Sequence, residues 1–256
     1  EKLDAWLRDG TRRFLDRMLG LCDWLGVLQQ AKLGRIRDEQ LGELLDMLFS
    51  DMPNAAEELR TKPMPAPTFR QSKLFRQAIF AHCEYITLHQ SQASFFSGLK
   101  YRFDQLRRAG RLGNGYGPIP RLVQGLDGGT FDMLDAVQPH RKLDADACDE
   151  LLTRYVRIRL LSRTAFGKGY YGLSILEGLA SLVVAVAAVC WLTRYVAVAE
   201  GRDAYSFDEV VRALGIVDRT AGRAAELGTR PARLRLSYLL SEDGLIRLVH
   251  SHAILS

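Results

Sequence analysis

Residues 170–201 read YYGLSILEGLASLVVAVAAVCWLTRYVAVAEG, the most apolar stretch of the chain. Sixteen uncharged residues separate Glu177 from Arg194, whereas a membrane-spanning helix needs about 20. Extending the run toward the N-terminus would carry Glu177 into the hydrocarbon, at a cost of about 3 kcal/mol. Gly169 and Gly172 also weaken a helix there. A helix that is apolar on every side and does not cross a bilayer is one enclosed by other helices. The pattern predicts a buried central helix over 173–199, no membrane span, and an all-α fold, bundle-like or orthogonal, around it.

Glu177 is the carboxylate near the start of that helix, and it has two readings. A carboxylate in a buried helix must be neutral, paired or close to the surface. Arg157, Arg159 and Arg163 on the preceding helix are candidates for an ion pair with it. The functional alternative makes Glu177 a perturbed acid, base or substrate anchor in a cleft.

On either side of this helix the chain reads as helix after helix. Leu7, Phe14, Met18, Leu21, Leu25 and Leu28 form one stripe over residues 3–31, and Leu41, Leu44, Leu45, Leu48 and Phe49 form a second. Pro63, Pro65 and Pro67 then interrupt any helix. This suggests an N-terminal helical pair over 1–62 and a larger basic helical domain over 63–256. Residues 69–90 and a basic stretch to about Arg108 continue as helix. Residues 110–129 hold seven glycines and two prolines, a long loop of the kind that is either functional or a plain connector. Helix resumes at Asp144, and Ser206 with Glu209 forms a capping box before Val210, Leu214 and Val217.

The 256 residues carry 47% apolar and 25% charged side chains, ordinary values for a globular chain. The net charge of +5 is unevenly spread. Residues 60–125 hold eleven Lys or Arg against Glu84 and Asp104, and residues 151–168 hold five against none. Such a field attracts an acidic protein surface, an anionic cofactor or nucleic acid. Arg157, Arg159, Arg163 and Lys168 are the first candidates for that contact. Tyr101, Phe103 and Tyr116 are too few and too scattered to form a base-stacking platform, which leaves nucleic acid the weakest of the three.

Motifs that carry chemistry fail on spacing. Gly113, Gly115 and Gly117 come after helix-like sequence and miss the dinucleotide fingerprint. The Gly167–Lys168 pair has Ser162 five positions before Gly167 and Gly169 after it, so it is no P-loop. Cys22, Cys83, Cys148 and Cys190 lie tens of residues apart, as free buried thiols in a reducing compartment do, and a cytoplasmic location is expected. His82, His89, His140, His250 and His252 form no Glu-x-x-His pair. His82, Cys83, Glu84 and His89 cluster in sequence, but Glu84 and His89 are five apart, a poor fit to one helix face. No metal site is expected.

SKLFRQAIFAHCEYI (72–86), then LLTRYVRIRLLSR (151–163), the apolar stretch at 169–201 and VVRALGIVDRTAG (210–222) occur in that order. Together they resemble the helical C-terminal part of bacterial cysteine-cluster proteins related to flagellin lysine N-methylases. The resemblance implies a cysteine-rich segment holding an iron–sulfur cluster, and methyl transfer from S-adenosylmethionine to protein lysine. No such segment stands in this sequence, so those cofactors are implied only for a longer parent with the cluster upstream of Glu1. The leading expectation is a non-catalytic helical scaffold that presents a protein substrate to that module. The alternatives are an independent enzyme with a cleft formed by Glu177, the basic helix and the glycine-rich loop, and a nucleic-acid-binding module.

Overall fold

The computed structural model describes residues 1–31, 38–88, 95–126 and 128–253, and all side chains among them except those of 38, 84–88, 95–102 and 225. Among these residues the fold is all-α. In chain order the helices are α1 Lys2–Leu7, α2 Phe14–Gln30, α3 Asp38–Thr61, α4 Phe69–Leu88, α5 Phe95–Asn114, α6 Phe131–Ala136, α7 Ala145–Leu161, α8 Ile175–Ala199, α9 Phe207–Thr220, α10 Arg230–Leu240 and α11 Gly244–His252. A two-residue parallel pairing, β1 Gln138–Pro139 with β2 Ala204–Tyr205, ties the entrance of α7 to the exit of α8.

The apolar stretch folds as α8, and every residue from Gly178 to Val198 is buried except Arg194. Helices α2, α4, α6, α9, α10 and α11 all touch α8, so its sides are covered by protein. The helix is long and apolar enough to cross a membrane by composition, yet it is the buried axis of the fold. Small side chains allow the close approach. A Cβ on Gly178 would lie 2.3 Å from the Ala165 carbonyl oxygen and 2.6 Å from Phe166 Cβ. The chain entering α8 therefore packs directly on its first turn.

The expected stripe over 3–31 is broken. Asp9 and Gly10 turn the chain between α1 and α2, with the Thr11 amide donating to Asp9 Oδ1 at 3.0 Å. Pro63, Pro65 and Pro67 do separate α3 from α4, but they do not separate two cores. Met18, Leu19, Leu21 and Leu25 of α2, Met52 and Ala56 of α3, Phe75 and Ile79 of α4 and the body of α8 belong to one continuous buried cluster. Helix α2 has ten buried positions over 17 residues, more than one face, because it is gripped by α3 on one side and by α8 and α11 on the other. The division at 62–63 is thus a bend in the chain rather than a boundary between cores.

The glycine-rich segment starts later than its composition suggests, since α5 continues through Asn114. Beyond Asn114 the chain forms a packed clasp. The Ile119 amide donates to Gly129 O at 2.8 Å, and the Tyr195 hydroxyl from α8 accepts from the Leu122 amide at 3.1 Å and donates to Leu126 O at 3.2 Å. Gly115 has φ +77° and the Arg76 guanidinium where a Cβ would stand. Gly129 lies against Val198.

Gly178→Ala is expected to destabilise the fold by about 1–3 kcal/mol through overpacking. Gly26, in α2 with open space where a Cβ would go, is the matched control, and Gly26→Ala should stabilise by roughly 0.5–1 kcal/mol. Chemical denaturation of the two variants checks both signs.

Candidate functional site

The residues singled out by charge are mostly committed to the fold. Glu177 closes a capping box: its Oε2 accepts the Ser174 amide at 2.8 Å, and the Glu177 amide donates to Ser174 Oγ at 3.2 Å. It pairs with none of the expected arginines. Arg157 Nε donates to Asp4 Oδ1 at 2.7 Å and fastens α7 to α1. Arg159 donates to Asp218 Oδ1 at 2.7 Å, and its guanidinium lies 5.6 Å from the Tyr155 ring centroid. Arg163, with φ 55°, and Lys168 lie in the turns between α7 and α8, where both are exposed. With Arg157 held by Asp4 and Arg159 by Asp218, this set of cations does not gather around Glu177. Nor does the glycine-rich clasp, which holds Tyr195, about 27 Å along the α8 axis from Glu177. The cleft expected from Glu177, the basic helix and that loop is not assembled.

A different cleft is. It encloses about 810 Å³ between the start of α2, the end of α3, α6, the β1–β2 pair and α11. Arg13 and Asp16 come from α2 and its N-cap, Arg60 from α3, Asp135 from α6, Arg194 from α8 and His250 from α11. Arg194 is the decisive member. It is the charge that ends the apolar run, and the surrounding helices leave it only half-buried. Its Nη2 donates to the Ala253 carbonyl at 3.3 Å, and its Nε is buried without a partner among the described residues. Tyr205 closes the wall beside it, and burial pushes the Tyr205 phenol above its ordinary range.

Both acids of the cleft are partly desolvated. Burial pushes the Asp16 carboxyl above the usual carboxylate range despite Arg60, whose Nε stands 4.0 Å away. Partial desolvation raises Asp135 as well, against the pull of Arg194. Behind the wall, the His252 ring stacks on Phe75 at 4.8 Å, its Nδ1 has no partner among the described residues, and burial, with Arg194 and Arg76 nearby, pushes it down to about 3. The lining described contains arginine, aspartate, histidine and tyrosine but no Ser, Cys or Lys, a set suited to holding an anion by forked hydrogen bonds.

No family model, no curated protein and no solved structure matches the chain. The site is therefore read from its own geometry.

The remaining candidates sort simply. All four cysteines are buried thiols, and burial pushes that of Cys83 up to about 12. His82 is buried in α4 with Nδ1 3.0 Å from Thr220 Oγ1. That hydroxyl donates to Val217 O, so the imidazole Nδ1 carries the proton between them. His89 lies outside the described residues, and the side chains of Glu84 and Tyr101 are not described. Among the described residues no three His, Cys, Asp or Glu side chains form a metal-binding group. Phe103 and Tyr116 are exposed. In the sequence Arg194 stands out as the end of an apolar run, but nothing there marks Asp16, Arg60 or Asp135 as its neighbours.

Ser174→Ala and Glu177→Ala should each cost about 1 kcal/mol through loss of the capping box, while Glu177→Gln, which retains the box geometry, stays near wild type. Urea midpoints of the three variants decide this.

His82 is held near 4 by burial, with Arg159 as the second cause, against 6.5 when unfolded. The unfolded chain binds the proton first, so stability present above pH 6.5 is lost as pH falls toward 4, by about 1.4 kcal/mol per pH unit. His82→Gln should flatten that slope by about one proton in unfolding titrations between pH 7 and pH 5.

Proposed function

We propose that this chain is a non-catalytic helical binding module whose 810 Å³ cleft receives a carboxylate-rich surface or segment of a protein partner. The observation that carries the reading is Arg194: a guanidinium on the central helix whose Nε has no partner among the described residues, beside a cleft that Arg13 and Arg60 also line. Three guanidinium groups from three parts of the fold line one cleft, and each is a planar fork of the kind that carboxylates fill. Among the described lining residues the three arginines outnumber the two aspartates, Asp16 and Asp135. The partner would approach past Arg60, which is half-exposed and shared between Asp16 and Glu57.

The resemblance to relatives of flagellin lysine N-methylases supplies a context for such a module, as the helical companion of an upstream iron–sulfur segment. That part of the proposal rests on the sequence resemblance alone. Iron and acid-labile sulfide in the protein as it occurs in its own cell, purified without oxygen, with none in residues 1–256, is the result this context requires. Neither element in either sample removes it.

The binding reading is tested with a fluorescently labelled oligoglutamate peptide and anisotropy. Arg13→Glu and Arg60→Glu, both at exposed side chains, should each weaken binding about tenfold, with a steep salt dependence. Arg163→Glu and Lys168→Glu should leave it unchanged. Equal loss from all four reversals would show a general charge effect and defeat the assignment to this cleft.

A further inference from the structure

Helix α5 is turned the wrong way round for a helix whose only task is to pack. Its inward side carries Gln105, 6% exposed, and Leu112, fully buried. Its outward side carries Phe103, 68% exposed, and Leu106, 70% exposed. Three residues apart, Phe103 and Leu106 adjoin on one helix face. The helical period places positions 99 and 96, Leu and Phe in the sequence, in the same row. Single exposed apolar side chains are ordinary, but an outward apolar row with a glutamine facing inward is not. Helix α5 packs along α4 and makes no comparably extensive contact with another helix.

Beside the apolar row runs a basic one. Arg107 and Arg111 stand one turn apart, both exposed and neither in an ion pair among the described residues. Position 100, a lysine, falls in the same row, as does Asp104, the one acid in the sequence of a helix that also holds Arg102 and Arg108. The face is fixed in place from behind. Arg108 donates to the Arg121 carbonyl in the clasp, with its guanidinium 5.9 Å from the Phe80 ring centroid, and Arg76 of α4 donates to the Gly113 carbonyl at 3.0 Å.

An apolar row bordered by cations on the outside of a fold is the pattern of a helix that lies in the interface of an anionic bilayer. We infer that the outer face of α5 docks on an anionic lipid membrane, with Phe103 and Leu106 entering the boundary of headgroups and acyl chains and Arg107 and Arg111 meeting the lipid phosphates. A second copy of the chain fits this face poorly, because two such faces would set arginine against arginine. A convex face on a single helix also suits a plane better than it suits a peptide, which needs a groove. This is attachment and not a span, since α8 stays buried. The surface is independent of the acidic-partner cleft, to which α5 contributes no lining residue.

The probe is vesicles of phosphatidylcholine and phosphatidylserine in equal parts, compared with phosphatidylcholine alone and read by co-sedimentation. Binding is expected to the anionic vesicles and not to the neutral ones, weakening as salt is raised. Arg107→Gln and Arg111→Gln should each lower the partition coefficient about fivefold. Phe103→Ser and Leu106→Ser, both at exposed positions, should each lower it about tenfold or more. Phe103→Trp supplies a depth readout: its emission should be quenched by brominated phosphatidylcholine in the anionic vesicles, while Trp6, Trp24 and Trp191, buried in the fold, give no such response. Arg13→Glu and Arg60→Glu should leave vesicle binding in place. Absence of binding, or equal binding to both kinds of vesicle, overturns the inference. Binding that survives unchanged in Phe103→Ser and Leu106→Ser would be adsorption by charge alone and overturns it too. So does a dimer in solution that Leu106→Ser dissolves, which would assign the row to a second copy.

Discussion

A helix with no polar face has to be surrounded, and the rest of this fold is organised by the need to surround α8. Each buried Leu or Val on it is worth about 1.5–3 kcal/mol relative to exposure. That gain is available only if neighbours cover every side of the helix. No single partner helix does so. The chain brings α2 and α11 to one side, α4, α9 and α10 to others, and uses α6 with the clasp after α5 near the C-terminal end. The same requirement explains why α2 is buried on more than one face and why the proline-rich bend after α3 does not separate two cores.

Polar groups are arranged around this apolar axis according to how deeply they must sit. At its N-terminal end, Glu177 completes a cap and remains at the edge of the core. Glu209 does the same for α9 at much greater depth. It is 1% exposed, and although burial pushes its carboxyl up, hydrogen bonds from Ser206 and the charge of Arg202 hold it below the usual range. The acid there is satisfied from both sides. Arg194 is not. It interrupts the apolar surface of α8 where α2, α3 and α11 fail to close over it, and the gap between them is the cleft.

The arginines of this protein divide by depth. Where an arginine and an acid meet at the surface of this protein, they form ordinary exposed pairs worth little. Where an arginine is drawn inward by packing, at Arg17 and Arg194, no carboxylate pairs with it among the described residues and a nitrogen is left without a hydrogen bond.

Local pattern is enough to settle the all-α class, the burial of the apolar run that follows Glu177 and the capping box of Ser206 and Glu209, because helical periodicity and capping involve residues three or four apart. It also marks the break between α3 and α4, since proline acts on its own backbone. Only the packed chain decides what the charges do. Arg157 meets Asp4 and Arg159 meets Asp218 across separations in sequence that no local pattern encodes. Glu177 reads as a candidate functional acid because its helix is apolar, yet Ser174 three residues away claims it for a cap. Arg13, Asp16, Arg60 and Arg194 come from separate stretches of chain and meet only because helices must pack on every side of α8. Their meeting place is set by the shape of that packing, which a one-dimensional pattern does not contain.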